Sequence, residues 1–161
     1  MPTGDQIETP RIADQLRRAF EGEAWHGPSV LEILQGLTAA VAAARPMPRS
    51  HSIWEIVQHI AVWDDVARRR MAGEVVQPAA DQDWPAVTDT SPGAWLRALD
   101  HLKRTHDALV GAVTALPDSR LPERVPGKEQ EYYTLYYMLH GIVQHELYHA
   151  GQIALLKKAA G

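Results

Sequence analysis

The chain has 161 residues, 45% of them hydrophobic and 22% charged, with a formal net charge of −4. That is enough apolar material to bury one core and too much for a disordered chain, so a single domain over residues 1–161 is expected. No apolar run approaches the roughly 18 residues of a membrane span, the acidic balance argues against nucleic acid as a partner, and the absence of cysteine removes thiolate nucleophiles, disulfides and cysteine zinc sites.

In chain order, Met1-Pro2-Thr3-Gly4-Asp5 has neither a basic nor an apolar stretch, so no signal peptide is expected and a cytoplasmic location follows as the default. Thr9-Pro10 reads as an N-cap with proline in the first turn, opening a short helix that carries Ile12, Leu16 and Phe20 and stops at Gly22. Gly27-Pro28 opens a second helix with Val30, Leu34, Leu37, Val41 and Ala44 on one face, ended by Pro46 and Pro48. Ser52-Ile53-Trp54-Glu55 fits a capping box, and the helix it starts runs to about Gly73. The basic run at its end, Arg68-Arg69-Arg70, reads as a solvated helix terminus.

Residues 74–90 hold two prolines and no sustained period, as a surface loop does. Ser91-Pro92 repeats the cap-plus-proline signal before a helix carrying Trp95, Leu99, Leu102, His106, Leu109, Val113 and Leu116, ended by Pro117. A loop over 117–131 leads to a last helix from about Thr134. Period-2, β-branched stretches are missing. The pattern is that of an all-α protein: an up-down four-helix bundle with an extra short N-terminal helix packed outside it, and two longer loops suited to rim a site.

The last helix carries the main anomaly. Its seam reads Leu135, Met138, Ile142, His145, His149, Gln152 and Leu156, so three consecutive core positions are polar. Each would cost about 1–3 kcal/mol if buried without a partner. His145 and His149, four residues apart, lie about 40° from each other around the helix and can reach one point. The seam Ile56, His59, Trp63, Val66 of the earlier long helix is interrupted in the same way. Facing helices approach within about 8–10 Å, so His59 can join the pair as a third ligand. Three neutral imidazoles leave a divalent ion its full charge and an open position, the pattern of a catalytic site.

His106, alone in its seam, reads as a core histidine or a partner to a ligand. His26, His51 and His101 fall in loops or off the seams, and His140 points about 140° away from His145. Gln152 could hydrogen-bond a ligand or a bound water, or bridge to backbone as a core amide. Glu146 could act as general base, orient a water, or be a solvated helix glutamate. Glu55 is explained by its capping box, and Trp63 is placed to wall a pocket. His145-Glu146-Leu147-Tyr148-His149 also matches the H-E-x-x-H helix of zinc proteases. Residues 150–161 offer no His, Asp or Glu as third ligand, Gly151 is one position early for the extended motif, and no strand is predicted, so that fold is not expected.

Ser52-Ile53-Trp54-Glu55-Ile56-Val57-Gln58-His59-Ile60 together with His145-Glu146-Leu147-Tyr148-His149-Ala150-Gly151-Gln152-Ile153 resembles the DinB/YfiT-like superfamily of bacterial proteins, and Trp25-His26-Gly27 agrees with it. The resemblance implies a four-helix bundle holding a divalent ion, zinc or nickel before iron, manganese or copper, on His59, His145 and His149. It implies a small-molecule substrate, commonly a low-molecular-weight thiol, and a homodimer. Thiol S-transfer is the leading activity, metal-dependent hydrolysis the runner-up, and a non-catalytic metal-binding protein the alternative. Glu146 and Gln152 are the candidate proton-handling groups.

Overall fold

The structure, a computed structural model, describes residues 7–161. Residues 1–6, with the N-terminal stretch read above as lacking signal-peptide character, lie outside the described residues. The expected all-α bundle is present, with no strand among the described residues. Its long members are α1 (Glu8–Phe20), α4 (Ile53–Met71), α6 (Pro92–Ala115) and α7 (Leu135–Ala159). Between them lie two five-residue helices, α2 (Val30–Leu34) and α3 (Ala39–Ala43), and a single turn, α5 (Ala80–Asp83). No helix is long and apolar enough to cross a membrane.

The difference from expectation lies in residues 28–44. A single helix was expected there, but the chain turns at Gly36, whose φ of +77° is accessible to glycine at little cost. The carbonyls released by the break are taken up by side chains: Trp95 Nε1 donates to Leu37 O at 3.0 Å and Lys157 Nζ to Ile33 O at 3.0 Å. With that segment broken, α1 fills the fourth position of the bundle, packing on α6 and α7 with Ile12, Leu16 and Phe20 buried.

The capping signals hold for the later helices. Ser52 and Glu55 form a complete capping box, Ser91 caps α6, and Thr134 caps α7. The first helix differs. It begins at Glu8, and its N-cap residue Ile7 has no capping side chain. Thr9 is not the cap. Instead Asp118 accepts from Ile7 N, Glu8 N and Thr9 N at 2.7, 2.8 and 2.9 Å, and from Thr9 Oγ1 at 2.7 Å. These donors hold the Asp118 carboxyl well below the usual carboxylate range. Asp118→Ala is therefore expected to lower the melting temperature and strip hydrogen-exchange protection from the start of α1. Unchanged protection there would show that packing alone holds the helix.

The apolar core has two halves. One gathers Phe20, Val30, Trp54, Ile60, Trp95, Leu102 and Ile153, the other Ile12, Leu16, Ala67, Leu109, Val113, Leu135 and Leu139. Between them runs a polar layer of Asp64 on α4, His106 on α6 and Glu146 on α7, all fully buried.

Candidate metal centre

His59 projects from the buried face of α4 toward α7, where the four-residue spacing brings His145 and His149 to meet it. The Nε2 atoms of His59 and His145 are 3.0 Å apart, and those of His149 and His145 3.1 Å. Candidate ligand atoms of the three side chains all lie within 4.8 Å of one another. Nitrogens bound at about 2.0–2.1 Å to one ion stand about 2.9–3.4 Å apart, so this spacing fits a shared cation.

The hydrogen bonds on the far side of the rings fix where the protons are. His59 Nδ1 faces two acceptors of Asp83, its carbonyl oxygen at 2.9 Å and Oδ1 at 3.0 Å, and so donates. His149 Nδ1 donates to Gln152 Oε1 at 2.7 Å. A neutral imidazole has one N–H, so both rings turn bare Nε2 lone pairs toward His145 Nε2. One proton on His145 could satisfy only one of them; a cation satisfies all three. Burial, followed by the neighbouring imidazoles, pushes His145 down to about 3, and burial lowers His59 and His149 as well. The site therefore disfavours extra protons while turning two bare lone pairs and a third imidazole nitrogen toward one point, which suits a coordinated ion.

Aromatic rings hold the centre in place. Trp84 stacks on His59 at 3.8 Å between ring centroids and 5° between planes, and His51 covers the other face of Trp84 at 3.6 Å. Trp63 Nε1 donates to Asp83 Oδ1 at 2.7 Å, tying α5 to α4. The three histidines border a cavity of about 390 Å³ whose wall is largely aromatic and aliphatic, including Trp63, Trp84, Tyr137 and Tyr148. No fourth protein ligand joins them among the described residues.

Thus the structure brings together His59, His145, His149 and Gln152, and Trp63 walls the cavity as expected. Glu146 is not brought to the cavity. Its carboxylate turns to an adjacent face of α7, where Oε1 lies 3.0 Å from His106 Nδ1, and Asp64 Oδ2 lies 3.4 Å from the same nitrogen. Burial and the charge of Asp64 push Glu146 up to about 8. Burial pulls His106 down, but its bonds to Asp64 and Glu146 outweigh that and raise it to about 9. Burial pushes Asp64 up as well, so the three groups share protons in the layer instead of setting two free carboxylates against one imidazole.

Sequence reasoning missed Asp83, Trp84 and Asp64. The first two sit in a loop without periodicity, where a lone Asp-Trp pair is the sole signal. Asp64 adjoins Asp65, which is exposed enough to pair with Arg68, and nothing in the sequence tells the two apart beyond helical phase. The basic run is also only partly solvated. Arg68 and Arg69 pair with Asp65 and Glu74, but Arg70 is 1% exposed and lines the cavity.

A family model described as the DinB superfamily matches residues 24–153. Comparison with curated proteins and with solved structures gives no match.

Proposed function

The chain belongs to the DinB superfamily, and from that premise we propose that it is a metal-dependent enzyme whose ion, held by His59, His145 and His149, activates a low-molecular-weight thiol for transfer to a small organic electrophile. The observation that supports this most directly is the convergence of three imidazole Nε2 atoms, two of them bare, at the border of a cavity. His59, His145 and His149 would hold a divalent ion, which when bound would lower the pKa of a thiol or water beside it and so supply a nucleophile at neutral pH.

The chain's own residues bind and orient. Asp83 and Gln152 fix the tautomers of His59 and His149, as the groups behind metal-bound histidines do. Trp63, Trp84 and the tyrosines exclude water and give an organic substrate an apolar wall. That wall favours a thiol bound by its own carbon frame over bare water, which makes hydrolysis the second reading.

Protein purified without added histidines should carry about one equivalent of zinc or nickel by plasma mass spectrometry. After exchange to cobalt, a low-molecular-weight thiol should add a thiolate charge-transfer band. Ester or amide turnover without such a band would favour hydrolysis. Protein that neither carries nor takes up metal would remove both readings.

A further inference from the structure

One side chain in the cavity has no counterpart. On α4, His59, Trp63, Ala67 and Arg70 recur every three or four residues and all border the cavity, so one helix face runs from the histidine centre to a guanidinium. Arg70 is 1% exposed. Its Nε and Nη2 donate to Val76 O at 3.1 and 2.7 Å, and Nη2 also lies 3.4 Å from Gln77 Oε1. Nη1 has no hydrogen-bond partner, yet it is not sealed in the core, and Arg70 borders the cavity.

A second cation stands beside it. Lys128 Nζ lies 3.3 Å from the same Gln77 Oε1 and 5.1 Å above the Tyr133 ring, itself part of the cavity wall. Gly127 brings it there: with φ at +77° and a built Cβ only 2.8 Å from Val75 Cγ1, that position has no room for a side chain. Neither Arg70 nor Lys128 forms an ion pair among the described residues. Burial, then the charge of Arg70, pushes Lys128 down. The carboxylate in the cavity wall, Asp83, is engaged at the other end by His59 and Trp63. Two cations sharing one amide oxygen, one of them buried, lack an anion.

We propose that the cavity binds a small organic carboxylate, with its carboxyl group on Arg70, Lys128 adding positive charge from behind the Tyr133 wall, and its reactive end at the three histidines. The identification of the reactive end rests on the function proposed above. Trp63 lies between the two ends, 5.5 Å from its ring to Arg70 Cζ and 6.0 Å to the His145 ring, a span suited to a chain of several carbons. Ala67 and Gly141 border the same space, and a Cβ on Gly141 would meet nothing within 4 Å. The Nη1 group of Arg70, reinforced by the nearby ammonium of Lys128, suits one carboxylate oxygen.

The test compares hexanoate, 1-hexanol and hexyl phosphate by calorimetry on the protein as purified, and 6-mercaptohexanoate with 6-mercapto-1-hexanol on the cobalt-loaded form. The acids should bind at least tenfold more tightly than the alcohols. Arg70→Met should bring that ratio close to one, Lys128→Met should reduce it several-fold, and metal content should stay unchanged in both. Arg70 also holds the Val76 carbonyl, so circular dichroism checks its variant; if that variant misfolds, Lys128→Met and the ligand comparison on unaltered protein decide. Equal binding of acid and alcohol, or an unchanged ratio in Lys128→Met, would overturn the proposal, and tighter binding of hexyl phosphate would overturn the carboxylate assignment. Acid preference in protein that takes up no metal would keep the anion site and remove the metal reading; a thiolate band without acid preference would do the reverse.

Discussion

Alanine at position 145 should leave the protein folded and nearly free of metal, with less than about a tenth of an equivalent against about one in the parent. His145 is the middle ring of the three, within 3.0 Å of one Nε2 and 3.1 Å of the other. Its removal separates His59 from His149, and two ligands from different helices hold a divalent ion far less well than three. The fold should survive because Nδ1 of His145 has no partner to lose. Gln152→Ala should be milder, about 10–100-fold in affinity, since it frees the His149 ring without removing a ligand. Plasma mass spectrometry and competition with a chelator measure both. Full metal content in the His145 variant would mean that the ion sits elsewhere.

The larger loss of stability is expected from His106→Ala. This ring is where the four long helices meet: Phe20 of α1 stacks on it at 3.8 Å, and Asp64 of α4 and Glu146 of α7 face its Nδ1. Removing it leaves two carboxyl groups facing each other in a dry layer, and breaking such a buried pair costs about 3–5 kcal/mol. For a domain of this size that corresponds to a fall in melting temperature of roughly 6–20 °C. The layer also sets a pH dependence. His106 is raised to about 9, so its contribution is complete below about 6.5 and is lost as pH rises toward 9. Glu146 is raised to about 8, so the cost of keeping its proton accumulates from the ordinary carboxyl range up to that value. Both make stability fall as pH rises from about 6.5, Glu146 up to about 8 and His106 on to about 9. The lowered histidines of the metal centre act in the other direction, losing their contribution as pH falls from about 6.5 toward 3. Melting temperatures across pH 5–9 check both limbs; the alkaline slope should flatten in the His106→Ala/Glu146→Gln double variant. A slope unchanged in that variant would place its origin outside the layer.

Much of this was legible in the sequence because helical phase and capping are local. The polar interruption at His145, His149 and Gln152 needs only a period of 3.6 to be seen, and His59 follows from the same rule on α4. The break at Gly36 was hidden because apolar spacing continues on both sides of it, while the side chains that stabilise it, Trp95 and Lys157, lie far along the chain. Asp83 and Trp84 come from a loop, whose conformation is set by what it packs on. Asp64 and Arg70 each stand beside residues of the same type. Which one faces the interior depends on the rotation of a helix against its neighbours, and that rotation is a tertiary fact.

The cap on α1 bears on the order in which the molecule can assemble during synthesis. The carboxylate that ends the first helix arrives 109 residues after Thr9. At about 5–20 residues per second, a ribosome needs roughly 5–20 s to supply it. Alone, the 13-residue helix is too short to persist in water. Helix α1 is thus made well before the groups that hold it, and Ile12 and Leu16 must wait for α6, Asp118 and α7 to emerge before they are covered.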